Sequence, residues 1–356
     1  MIQFTSTTKN ASLQNPLKAF ELENQPIEHR KDPLLDRWAV VLRGRMNYVK
    51  RYIESDEALV RSNVEESSKT CPFCPTVIEK RAPRFPNDLV PEGTIRVGEA
   101  TCVPSLFAHQ EFNAVVVLTE RHFLNLNEFS QSALVDGFKA AAIYIQKVSA
   151  RHPEVKHAAI IMNFLPPAGS TIVHPHIQVL ASHRPFAYPS RLEDASKRYL
   201  DANGSNYWED LINTEMDHGE RYICRLGSID WITPYAPVGL NEINAVALGR
   251  AKFKALSEKN WKEIADGIRY TLAFYHDQGI RSFNALLYSS AIDSKSDALC
   301  VGLKIVSRYG YRTRYVSDVW SLQYLLDERE IYESPEIVCA TAKPYFNSKT
   351  ERQVAV

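Results

Sequence analysis

At 356 residues the chain is long enough for two domains, or for one large domain built of two halves. Its hydrophobic content of 45% and charged content of 24% are those of an ordinary globular protein. Lys plus Arg equals Asp plus Glu at 42 each, which excludes a global field recruiting nucleic acid or an acidic membrane surface, so anionic ligands must be held by a few local cations.

No stretch approaches the roughly eighteen apolar residues of a membrane span, and the polar segment Met1 to Pro26 lacks the apolar core of a signal peptide. Six cysteines are too sparse for a disulfide scaffold, and only Cys71 and Cys74 lie close together. The expected location is cytoplasmic, with no membrane or nucleic-acid partner.

In chain order, residues 1–25 read as an arm or poorly ordered tail. Structure begins at His29-Arg-Lys-Asp-Pro-Leu34, where Asp32-Pro33 predicts a turn. Trp38 to Leu42 reads as a buried strand, and the charged stretch Glu54 to Lys69 as a loop or an exposed helix. Cys71-Pro-Phe-Cys74-Pro forms a tight knuckle. Asn113 to Leu118 is a β-branched strand, and Leu126 to Val148 carries helical periodicity. Ala158 to Met162 and Ile177 to Leu180 are strands separated by the turn-rich Pro166-Pro-Ala-Gly-Ser-Thr171.

The second part repeats the order. Arg221 to Arg225 and Ala245 to Leu248 read as strands, Trp261 to His276 as a helix, and Ala285 to Tyr288 and Cys300 to Val306 as strands. The expected fold class is α+β, two tandem halves at 26–187 and 188–356, each an antiparallel sheet with packed helices.

The segment richest in chemistry is Asn163 to Gln178. If His174 to Val179 is extended, His174, His176 and Gln178 share one face and Pro175, Ile177 and Val179 the other. Two imidazoles and an amide on one surface suit a phosphate site, and the Gly169-Ser170-Thr171 turn offers N–H groups and hydroxyls to the same anion. Cys71-x-x-Cys74 is either a redox couple, two unrelated thiols or half of a zinc site. A closed tetrahedral zinc site needs two more ligands. His122 and His174 are the leading candidates, with His157 and His183 behind them.

These residues resemble the galactose-1-phosphate uridylyltransferase family of the histidine-triad superfamily, from about His29 onward. His29-Arg-Lys-Asp-Pro-Leu-Leu-Asp-Arg-Trp38 is similar to its opening motif, and Arg45 falls where an arginine holds the nucleotide phosphates. Thr119-Glu-Arg-His122 and Trp231-Ile-Thr-Pro-Tyr-Ala-Pro237 resemble further landmarks. The resemblance implies Zn2+ held by Cys71, Cys74, His122 and His174, with His176 as covalent nucleophile. Gln178 would hold a phosphoryl oxygen, and Asn163, Gly169, Ser170, Thr171 and Arg45 would bind substrate phosphate. It also implies a homodimer and ping-pong transfer of a nucleoside monophosphate to a phosphate or sugar-phosphate acceptor.

The physical logic is that an unprotonated imidazole nitrogen can attack an α-phosphorus, so the other ring nitrogen should donate to a backbone carbonyl. The chain departs from the family elsewhere. Thr101 to Leu106 stands where a nucleoside-binding Asn-Asp pair is expected, and Tyr48 where a second arginine is, unless Arg43 takes over. Val301-Gly-Leu-Lys-Ile-Val306 stands in place of a His-x-His strand, so Lys304 either replaces a lost cation or is a solvated strand-end lysine. Gln323 is a possible sugar contact. A divergent member is therefore expected, with three alternatives beside uridylyl transfer. These are a nucleotidyl phosphorylase or adenylyltransferase using ADP-sugar or adenylylsulfate, a nucleotide hydrolase, and a zinc-stabilised scaffold.

Overall fold

The structure is a computed structural model describing residues 2–347. Met1 of the expected arm and residues 348–356 of the expected second half lie outside the described residues. The chain opens with the strands β1 (Thr5–Asn15), β2 (Glu21–Lys31) and β3 (Trp38–Val41), then the helices α1 (Met46–Ile53), α2 (Glu57–Ser68) and α3 (Pro75–Arg81). There follow β4 (Ile95–Val97), β5 (Ala100–Pro104), β6 (Phe112–Val117), α4 (Gln131–Arg151), β7 (His157–Phe164) and β8 (His176–Ser182). After α5 (Ala187–Asn203) and α6 (Tyr207–His218) come β9 (Tyr222–Leu226), β10 (Ile229–Ile232), β11 (Leu240–Ala247), α7 (Glu258–Asp277), β12 (Phe283–Tyr288) and β13 (Val301–Ser307). The last elements are α8 (Ser321–Leu325), β14 (Arg329–Ile331) and α9 (Pro335–Asn347).

The expected repeat is present. Three strands, a helix and two strands occur as β4-β5-β6-α4-β7-β8 and again as β9-β10-β11-α7-β12-β13. They do not form two sheets. They share one ten-stranded antiparallel sheet in the order β4-β5-β6-β8-β7-β12-β13-β11-β10-β9, which reads as the same half from either end. The halves join at β7 and β12, paired from Phe164–Phe283 to Ala159–Tyr288. Both strands carry uninterrupted ladder donors and apolar side chains, so neither has to be an exposed edge.

Alternation then sorts the faces. Ile177 and Val179 on β8, like Leu303 and Ile305 on β13, enter the core beneath α4 and α7. Both helices approach the sheet through a glycine: a Cβ on Gly137 would strike Leu118, and one on Gly267 would strike the fully buried Trp231. In an open helix Gly→Ala stabilises by about 1 kcal/mol. Gly267→Ala should instead destabilise by about 1–3 kcal/mol, the cost of overpacking, and a raised denaturation midpoint would refute the close approach.

The opposite face differs between the halves. In the second half α5 and α6 cover it, through Leu192, Trp208, Leu211 and Ile212 packed on Ile232, Val246 and Tyr288. In the first half that face carries His176, Gln178 and Asn163.

Three expectations are decided by the structure. Residues 5–31 are not a tail but a long hairpin, in register from Thr5–Lys31 to Asn15–Glu21. Its ladder satisfies the backbone while nearly every β1 side chain stays exposed, so no apolar pattern marked it. The segment 57–68 is a helix because Asp56 caps it, accepting from the N–H groups of Ala58 and Leu59. The periodic run 126–148 is broken by a single 3-10 turn, Leu126–Glu128, before Ser130 caps α4 through the N–H of Ala133.

Candidate active site

The knuckle, the loop after β6 and the entry to β8 bring Cys71, Cys74, His122 and His174 together, with all four ligand atoms within 4.8 Å of one another. Cys71 Sγ lies 3.6 Å and Cys74 Sγ 3.8 Å from His174 Nδ1, and Cys74 Sγ lies 3.5 Å from His122 Nδ1. The remaining ring nitrogens are already committed. His174 Nε2 donates to the Thr119 carbonyl at 2.7 Å. His122 Nε2 meets Ser67 Oγ at 3.0 Å, whose own proton goes to the Val64 carbonyl. Both imidazoles therefore present a bare Nδ1 to the thiols, as metal ligands must.

Electrostatics agree with that reading. Burial pulls the His174 imidazole down to about 4 and lowers His122, so both are neutral at neutral pH. Burial, then the neighbouring Cys71, pushes the Cys74 thiol up to about 11. Two adjacent thiolates are unfavourable until a cation neutralises them. Two sulfurs and two nitrogens in one cluster are a donor set suited to a tetrahedral soft-to-borderline ion.

His176, the first residue of β8, is 7% exposed and lies on the face away from α4. Its Nδ1 donates to the His174 carbonyl at 2.7 Å, leaving Nε2 as the lone-pair nitrogen. Burial lowers its pKa, against the opposing pull of that carbonyl, so the ring stays neutral. The ring of Phe73, inside the knuckle, stands edge-on to His176 at 5.4 Å and to His174 at 6.3 Å. The metal cluster and the candidate nucleophile are thus packed as one unit. The sequence reading assigned Phe73 no role, although its place between the two cysteines was a signal.

Gln178 lies one pleat along on the same face, opposite Ile161 of β7. Continuing that register by two residues sets Asn163 opposite His176. Among the described residues the Gln178 amide has no protein partner, which leaves it available to a ligand. The turn Pro166–Ala168 is entered by Leu165 at φ 66° and left by Gly169 at φ 83°. Leu165 holds that unfavourable backbone by accepting from Ala168 N at 3.0 Å and Ser170 N at 3.3 Å. The Ser170 hydroxyl donates to the Ile172 carbonyl at 2.7 Å. Ser170 therefore braces the turn, while Thr171 stays exposed.

Other expected site residues lie elsewhere. Arg45 donates to Gln25 at 2.9 Å and lines a cleft with His29, Trp38 and Glu330. None of its contacts is to His176 or the 166–171 turn. Arg43 pairs with Glu28, and Tyr48 is exposed. Lys304 is neither a solvated strand end nor a free cation, because it lies under Tyr188 in an ion pair with the buried Glu242. Gln323 caps the backbone N–H of Trp320. His183 pairs with Glu111, and neither it nor His157 joins the cluster.

The second half explains why the sheet carries a single such site. Gly302 and Lys304 occupy on β13 the places that His176 and Gln178 hold on β8, and Tyr288 lies where a side chain at Gly302 would stand.

No family model matches the chain. An uncharacterized protein of Archaeoglobus fulgidus is 30% identical over 318 residues, covering 89% of this chain and 91% of that one. The two belong to one family. The archaeal relative carries no stated activity, so the family is defined by shared sequence alone. Its fold has solved counterparts. A GalT-like protein from Arabidopsis thaliana matches with a TM-score of 0.69 at 17% identity, over 88% of this chain and 98% of that one. An ADP-glucose phosphorylase from Arabidopsis thaliana with bound ADP-glucose matches with a TM-score of 0.68 at 17% identity, over 89% and 98%. A uridylyltransferase matches with a TM-score of 0.64 at 16% identity, over 79% and 90%. The chain therefore shares the two-half fold of these solved structures, as the sequence resemblance implied.

Proposed function

We propose that the chain is a nucleotidylyltransferase that carries a nucleoside monophosphate on His176. The observation that carries this reading is the hydrogen bond from His176 Nδ1 to the His174 carbonyl, which fixes the tautomer whose Nε2 can attack. The Nε2 lone pair adds to the α-phosphorus of a nucleotide donor, and the bond to the leaving oxygen breaks with its electron pair. An N–P phosphoramidate is left on the ring. An acceptor oxygen, from inorganic phosphate or a sugar phosphate, then attacks phosphorus, and the electron pair of the N–P bond returns to Nε2. Gln178 and Asn163 flank this centre as neutral donors to the non-bridging oxygens.

Zinc is the ion we assign to Cys71, Cys74, His122 and His174. When bound it supplies a rigid cross-link that anchors the backbone two residues from the nucleophile. We assign the catalytic half to 26–187 and the second half to 188–356. No helix among the described residues is long and apolar enough to cross a membrane, which accords with a cytoplasmic enzyme. The exposed Trp320, Tyr324, Leu325 and Leu326 form an apolar patch suited to a homodimer, and a monomer by light scattering would refute that assignment.

The donor with bound ADP-glucose in the phosphorylase and the uridylyl group of the transferase define the first substrates to try. Protein incubated with ADP-sugars, UDP-sugars and adenylylsulfate, each radiolabelled at the α-phosphate, should take up label in an acid-labile, base-stable bond. Chasing the labelled protein with phosphate, hexose phosphate or water then separates phosphorylase, transferase and hydrolase. If all donors leave the wild-type chain unlabelled, the reading is wrong.

A further inference from the structure

Side chains of the second half reach across the β7–β12 junction to the turn before His174, and the reaction above gives them no part. Ser282 Oγ donates to the Phe164 carbonyl at 2.8 Å, and the Tyr315 hydroxyl approaches the Pro167 carbonyl at 3.4 Å. Asn284, paired directly with Asn163 across the two strands, donates Nδ2 to Asn163 Oδ1 at 2.6 Å and to the Ala168 carbonyl at 2.9 Å. Arg308 Nη1 donates to Asn284 Oδ1 at 2.8 Å, and its Nε and Nη2 hold the two oxygens of Asp318 at 2.7 Å each.

Donor and acceptor counting fixes the direction of every amide in this chain. An arginine only donates, so the atom it meets on Asn284 must be the carbonyl oxygen. The other end of Asn284 meets the Ala168 carbonyl, which only accepts, so it must be the NH2 group. Two independent constraints agree. The atom of Asn163 facing Asn284 is then its oxygen, and the Asn163 NH2 group points away from Asn284. Asn163 lies on the sheet face between Asn284 and His176, and among the described residues its Nδ2 has no protein partner. Both its N–H donors are left for the His176 side.

We propose that Asn284, locked by Arg308 and Asp318, is a positioning residue for nucleotidyl transfer. It holds the Asn163 amide with its N–H groups toward the phosphoryl group on His176. The proposal rests on the transferase reading and adds a device spanning the two halves: a donor-only guanidinium in one half sets the polarity of an amide in the other. A flipped Asn163 would turn its carbonyl oxygen toward phosphoryl oxygens and repel them.

Asn284→Asp is nearly isosteric and still accepts from Arg308, but it offers Asn163 only lone pairs, so Asn163 must turn its N–H groups toward it. Nucleotidylation of His176 should slow by about 10²–10³, the cost of losing an oriented donor to a charged oxygen, in kcat rather than KM. The double variant Asn163→Ala/Asn284→Asp should be no slower than Asn163→Ala alone, because the two act as one unit. Ser282→Ala loosens the same turn without touching the amide chain and should label near the wild-type rate. Asp318→Asn, outside the sheet and of the same size, gives a second variant with a smaller loss in the same direction, read at a temperature where its circular dichroism is native.

Wild-type labelling with an unchanged rate in Asn284→Asp would overturn the proposal. So would losses that multiply in the double variant, or an equal loss in Ser282→Ala, since each marks a merely structural brace. An unlabelled wild-type chain would instead remove the transferase reading, and this proposal with it.

Discussion

His176→Gly should lose nucleotidyl transfer by at least about 10⁴-fold, the scale seen when a covalent nucleophile is removed, while keeping its metal. Label incorporation from an α-phosphate-labelled donor, measured beside metal content, checks both halves of that expectation. The separation is physical. The cluster is formed by Cys71, Cys74, His122 and His174, and His176 meets it through the His174 carbonyl and the Phe73 ring, neither of which is a ligand. His176→Asn makes the comparison sharper, because its amide can still donate to that carbonyl yet has no nitrogen lone pair to attack phosphorus. A glycine variant that still takes up label at the wild-type rate would move the nucleophile elsewhere.

Cys74→Ser should release the metal and destabilise the chain. A serine hydroxyl is a hard, neutral donor where a thiolate is needed. The affinity loss should exceed the 10–100-fold typical of removing an outer partner, taken here as about 10²-fold or more. Structural zinc sites contribute on the order of 10–16 kcal/mol in small domains. Even a modest part of that is expected to lower Tm by more than about 5 °C. Elemental analysis should find about one zinc per wild-type chain, by the four-ligand rule, and markedly less in the variant. Here the Cys/His cluster joins three segments far apart in sequence, so loss of a bound ion should loosen the entry to β8 and slow labelling too. Unchanged metal content and Tm would take Cys74 out of the cluster.

Parts of this site were legible because they are local. His176 and Gln178 lie within the strand β8, so a period of two suffices to sort one face from the other, while His174 sits in the bend that enters that strand. Cys71 and Cys74 need only a tight turn. The repeat of strands, a helix and two strands was legible for the same reason, since each of those elements buries a face with its own periodicity, whereas the short β4, β5 and β10 were not read and Trp38–Val41 pairs in the other sheet. The hairpin of β1 and β2 escaped because nearly every β1 side chain is exposed and β2 is polar along most of its length. Where Arg45 lies was not legible: no local pattern shows that the fold carries it to a cleft with His29 and Glu330. Lys304 was misjudged because no pattern along β13 reveals that Glu242 lies across the sheet to neutralise it.

The sequence by itself determined the chemical inventory and part of its local directions: two thiols at a knuckle, an imidazole and an amide on one strand face with a second imidazole just before them, and a turn beside them. Only the tertiary structure decided which tautomer each imidazole holds and which residues of the second half act on the first. It also decided that α5 and α6 close one end of the sheet and leave the other. The reason is that donors, acceptors and covers are assigned by neighbours more than a hundred positions away, such as Asn284 to Asn163 and Cys71 to His174. No periodicity within a single segment encodes those pairings.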